Sequence, residues 1–144
     1  MTAAELYEID FAEWTRQNAE LLRSGRASEA DLEHIAEEIE DMGKRERRSL
    51  RHHCVRLIEH LLEWQHHPER RGSSWQRTIK VQREEIKELL DENPSFRPNL
   101  PEVIAKAYKS AAENVALVTK RPRTEFPQAC PYTIDQLLDE DFLP

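Results

Sequence analysis

A chain of 144 residues with 38% apolar and 34% charged side chains is sized for one domain, with a core large enough to need no cross-links. Two cysteines, Cys54 and Cys130, exclude a disulfide framework and a C-x-x-C redox or zinc motif, and no apolar run approaches the ~20 residues of a membrane helix. The net charge of −7 hides a segregation: residues 1–43 carry 3 basic and 12 acidic side chains, residues 44–83 carry 11 and 4, and residues 84–144 carry 7 and 12.

The first residues lack a basic start followed by an apolar run, so no signal peptide is expected. With no cross-link framework, the chain reads as cytoplasmic. A first helix is predicted from about Asp10, which caps it, to Ser24, with Phe11, Trp14, Asn18, Leu21 and Leu22 at helical spacing and Gly25 as its stop. Ser28 is expected to cap a second helix whose first turn is acidic, matching the helix dipole.

That second helix is predicted to be long. Advancing each residue by ~100° keeps Leu32, Ile39, Gly43, Leu50, Leu57 and Trp64 on one face, and the phase does not slip at Gly43. One helix over about 29–66 is therefore preferred to two helices broken at Gly43. At ~1.5 Å per residue it would be about 57 Å long. Such a length asks for an elongated domain, a bend, or cover from a second chain.

Pro68 ends this helix. Ser73 and Gln76 suggest a capping box for a third helix, with Trp75, Ile79, Gln82, Ile86 and Leu89 as its stripe and Asn93-Pro94 as its stop. Asn99 and Glu102 bracket the start of a fourth, lined by Val103, Ala107, Tyr108, Ala111, Val115 and Val118. Thr133 and Gln136 make a capping box for a short C-terminal helix. Phe142 and Leu143 are expected to dock on the body. The expected fold is all-α: one domain over residues 1–144, a bundle of about four main helices with a long second one.

Four stretches together resemble a known family: "YEIDFAEWTRQNAELLRSGR", "LEHIAEEIEDMGKRERR", "LLEWQHHPERRGSSWQRTI" and "CPYTIDQLLDEDFLP". The family is catalogued as domain of unknown function twenty-nine, and the resemblance spans about Tyr7 to Pro144. It implies a small, all-helical, intracellular bacterial protein. It implies no reaction, and it supplies no catalytic residues to carry over.

Five of the six histidines fall within His52–His67. His53, His60 and His67 stack at successive heptads, about 10.5 Å apart along the axis, too far for one metal ion to bridge at ~2.0–2.1 Å per bond. A metal site must therefore centre on Glu63, with His60 three residues before it and His67 four after. Glu63-x-x-His66 matches one half of the di-iron bundle motif, but no second Glu-x-x-His exists. The simpler reading has the rings packed at the seam, with His66 and His67 placed at the negative end of the helix. No cofactor motif and no catalytic nucleophile is visible, and Cys54 reads as core.

The basic middle is the stronger lead. Arg45, Arg48 and Arg51 belong to one cationic run, and Arg70, Arg71 and Arg77 to another across the predicted turn. Such a surface suits an anionic partner. No nucleic-acid-binding motif accompanies it, and aromatics for base stacking are scarce. Internal pairing, such as Asp41 with Arg45 one helical turn on, is the competing explanation. The sequence therefore points to a non-enzymatic interaction or regulatory protein with a protein partner or self-association, ahead of nucleic acid, with no membrane. The alternative is a metal-dependent helical-bundle enzyme around His60, Glu63 and His67.

Overall fold

The computed structural model describes all 144 residues. It contains six α-helices and no strand: α1 (Ala3–Ile9), α2 (Phe11–Arg23), α3 (Leu32–His66), α4 (Ser73–Glu92), α5 (Leu100–Thr119) and α6 (Ile134–Leu138). The protein is an all-α helical bundle with a long helix α3. Its chain divides into two compact units, residues 1–45 and 46–144.

The first unit opens with a helix that the sequence reading missed. Thr2 caps α1 through a complete capping box with Glu5. Asp10 caps α2 as expected, accepting a hydrogen bond from the Glu13 N–H. Gly25, at φ 76°, turns the chain after α2 in the left-handed region that favours glycine. Ser28 does not cap α3; it lies in a short 3-10 turn over Ala27–Glu29, and α3 begins at Leu32. Asp31 does the organising instead. Its carboxylate accepts from Trp14 Nε1 at 3.0 Å and pairs with His34 Nδ1 at 2.7 Å, while its own N–H donates to Asn18 Oδ1 at 2.8 Å. Burial alone would raise the Asp31 carboxyl pKa, but the hydrogen bonds from His34 and Trp14 outweigh it and hold the group below its ordinary value. Tyr7 stacks on the His34 ring at 4.0 Å and donates its hydroxyl to Glu38. Leu32, Ile39 and Met42 remain exposed, so the stripe read from the sequence becomes core only from Leu50 onward.

In the second unit that stripe is buried. Leu50, Cys54, Leu57, Ile58, Leu61 and Leu62 of α3 meet Ile79, Ile86 and Leu90 of α4 and Leu100, Ala107, Tyr108, Ala111 and Val115 of α5. The Ser73–Gln76 capping box does not form: Gly72 is the cap residue of α4 and offers no side chain, so Ser73 is already helical. Asn99 sits at the cap of α5, also without a side-chain bond. Val118 is 73% exposed, because α5 ends one residue later and Lys120 takes a left-handed φ of 56°. Thr133 and Gln136 form the expected box on α6. Of the two terminal apolar residues, Phe142 packs on the core while Leu143 stays exposed.

Candidate anion-binding grooves and the histidine stretch

Arg45, Arg48, Arg51, Arg56, Arg70 and Arg77 are all exposed. None takes part in any of the protein's salt bridges, and the Asp41–Arg45 pair one helical turn apart is not formed. These six arginines are therefore held by no ion pair within the chain. Arg45 closes the first unit.

The remaining arginines separate by location. Arg48 and Arg51, with Arg47 beside them on α3, line a groove of about 180 Å³ closed by Asn99, the cap of α5, and by Glu102 and Lys106 of α5. Arg47 is held over the Phe96 ring, 5.7 Å from its centroid. Four cations thus face one carboxylate. Arg77 lies elsewhere, in a cavity shared with Arg56. Arg70 lines a third cavity, with Glu63 and His67. Arg71 is committed to structure: its Nε donates to the Trp64 carbonyl at 2.6 Å, and its guanidinium lies 5.3 Å from the Trp64 ring centre.

The histidines are individually occupied. His53 Nδ1 is 2.6 Å from Gln82 Oε1. His60 turns back to its own helix, with Nδ1 2.9 Å from the Arg56 carbonyl. The His66 ring meets Phe126 edge-on at 5.0 Å, and burial, helped by Arg121, lowers its pKa. His67 Nδ1 pairs with Glu69 at 3.2 Å, leaving a buried Nε2 with no partner. Burial raises the Glu63 carboxyl pKa, partly opposed by His60. Glu63 and His67 share a cavity of about 420 Å³ with Glu69, Arg70, Trp75 and Lys120, but His60 does not line it. No three His, Cys, Asp or Glu side chains converge in a way that could hold a metal ion. His60 and His67 turn to different partners, the Arg56 carbonyl and Glu69, and the predicted trio does not converge. Cys54 is sealed in the core, where burial pushes its thiol up to about 12.

Three functional-looking residues were not legible in advance. Lys106 joins the Arg48 groove from a distant helix. Gln82 lies in the stripe but also lines a cavity and engages His53 through its amide oxygen. Arg83, in sequence the last of the basic run, is not surface at all: only 1% exposed, it donates from Nε to the Leu137 carbonyl at 2.8 Å and from Nη2 to the Gln136 carbonyl at 3.2 Å.

The family model described as Domain of unknown function DUF29 matches residues 6–143. The chain belongs to this family. No curated protein and no solved structure matches it. The match to DUF29 takes in the candidate grooves and the histidine stretch, and the family's description assigns no reaction to them. No helix is long and apolar enough to cross a membrane.

Proposed function

We propose that this DUF29 protein is a non-enzymatic interaction or regulatory protein, and that the groove of Arg47, Arg48, Arg51 and Lys106 takes an acidic segment of a protein partner. One observation carries the reading. Arg48, Arg51 and Lys106 share a concave surface and none has a carboxylate within ion-pair distance. Arginine is the cation best suited to bidentate carboxylate contacts, and Glu102 is the sole acid in the lining. A bacterial cytoplasmic setting belongs to the same reading, with both cysteines free.

The test is a capture experiment with tagged protein from its native lysate, split into nuclease-treated and untreated halves. A specific protein should be retained in both halves by the wild type and lost with Arg48→Glu/Arg51→Glu. Retention that disappears on nuclease treatment would move the groove to nucleic acid. A partner indifferent to the double variant would reject the groove.

A further inference from the structure

A second cavity, separate from the Arg48 groove, has a more restricted chemistry. It measures about 590 Å³ and is lined by Arg56 of α3 and by Ser73, Ser74, Arg77, Thr78, Val81 and Gln82 of α4. No carboxylate lines it. Arg56 and Arg77 come from different helices and neither is in a salt bridge. Thr78 spends its hydroxyl on the Ser74 carbonyl at 3.1 Å, whereas the Ser73 and Ser74 hydroxyls make no bond within the protein.

Gln82 is the decisive residue. It is only 7% exposed, and a side-chain amide that deep normally satisfies both ends. Its Oε1 lies 2.6 Å from His53 Nδ1; an amide oxygen only accepts, so the contact requires the Nδ1–H tautomer of His53 and leaves Nε2 turned away from the ring. Nε2 has no acceptor in the protein. It is not sealed in the core either, since His67 Nε2 is the only fully buried side-chain polar atom without a partner. Gln82 thus brings an amide with an unengaged donor to the lining of this cavity. The nearest carboxylate linked to this group is Glu85, 4.0 Å from His53 Nε2 and outside the lining.

Two guanidiniums, an anchored amide and two free hydroxyls, with no acid among them, select a ligand that offers only acceptors and a double negative charge. The volume exceeds that of a bare oxyanion, and Val81, 40% exposed, supplies an apolar wall for an organic substituent. We infer that this cavity binds a phosphate monoester, carried either by a small organic phosphate or by a phosphorylated serine or threonine side chain. Arg56 and Arg77 neutralise the dianion, and Gln82 Nε2 donates to one of its oxygens.

The experiment titrates phenyl phosphate, phenyl sulfate and a phosphoserine peptide with its unphosphorylated twin into the full chain. Binding is followed by calorimetry and by the NMR signals of the Gln82 side-chain amide. Phenyl phosphate should shift those signals saturably and bind more tightly than the singly charged sulfate. Arg77→Ala, Arg56→Ala and Gln82→Glu should each weaken binding about tenfold or more, the loss of one charge-assisted hydrogen bond. Gln82→Glu keeps the acceptor for His53, so its melting curve separates lost binding from lost fold, and the two exposed arginines give independent readings. Tighter binding of the phosphopeptide than of phenyl phosphate would assign the site to a phosphorylated partner; the reverse would assign it to a free organic phosphate. No saturable shift up to millimolar phenyl phosphate, equal affinity for phenyl sulfate, or undiminished binding in Arg56→Ala/Arg77→Ala would each overturn the proposal.

Discussion

Arg83 shows how one side chain can invert a reading of composition. Counted along the sequence it extends the basic run; in the structure it is among the most buried residues and hydrogen-bonds the carbonyls of Gln136 and Leu137. Burial lowers its pKa, offset in part by Asp139 and Glu140. Replacing it with methionine keeps the aliphatic stem but removes both hydrogen bonds. Bonds to a charged donor are worth roughly 1.5–3 kcal/mol each, and part of that returns because no charge is desolvated any longer. Arg83→Met should therefore lower stability by about 2 kcal/mol in urea unfolding and raise amide exchange across residues 134–144 first. An unchanged midpoint with unchanged exchange would mean that α6 is held by apolar packing through Leu137 alone. Lysine should not rescue the variant, because its point charge cannot serve two carbonyls in the geometry of the guanidinium fork.

At the level of elements, α3 was the most legible feature, because helical phase carries across Gly43 without a slip and the helix runs unbroken from Leu32 to His66. What the phase could not reveal is cover. The same stripe is core at Leu57 and open at Ile39, and only tertiary contacts decide which. The short α1 was missed because seven residues hold too little periodicity, although Thr2 and Glu5 already spelled its capping box. Ser73 misled for the opposite reason: the box pattern was present, but Gly72 took the extended cap position and drew Ser73 into the helix. The candidate grooves were half legible. The arginines announced themselves as a charge run, whereas Lys106 and Gln82 come to line their cavities only through the packing of α5 and α4. Continuity of α3 makes a direct prediction at Gly43. A glycine inside a helix costs about 1 kcal/mol relative to alanine, so Gly43→Ala should raise the thermal midpoint by a few degrees. A fall instead would show that a neighbouring group needs the space a methyl would take.

For the whole molecule, the charge pattern bears on stability and on the proposed binding alike. Residues 1–43 carry a net −9, residues 44–83 a net +7 and residues 84–144 a net −5, and the exposed arginines of the middle segment have no carboxylate partners. Like charges three or four residues apart on a helix destabilise it by roughly 0.2–0.5 kcal/mol per pair, and Arg51 stands in that relation to both Arg47 and Arg48. Arg51→Glu turns two repulsions into attractions and should stabilise the chain by about 1 kcal/mol, or roughly 2–4 °C in thermal melting at this size. The same variant should lose the partner that the wild type captures. The gain should shrink as salt is raised, because exposed charges are screened within about 8–10 Å at physiological ionic strength. A stabilised protein that no longer binds would identify the run as a functional liability of the fold. A variant that loses stability would mean that Arg51 is held by contacts within the chain, and the unpaired arginines would then no longer support a binding surface.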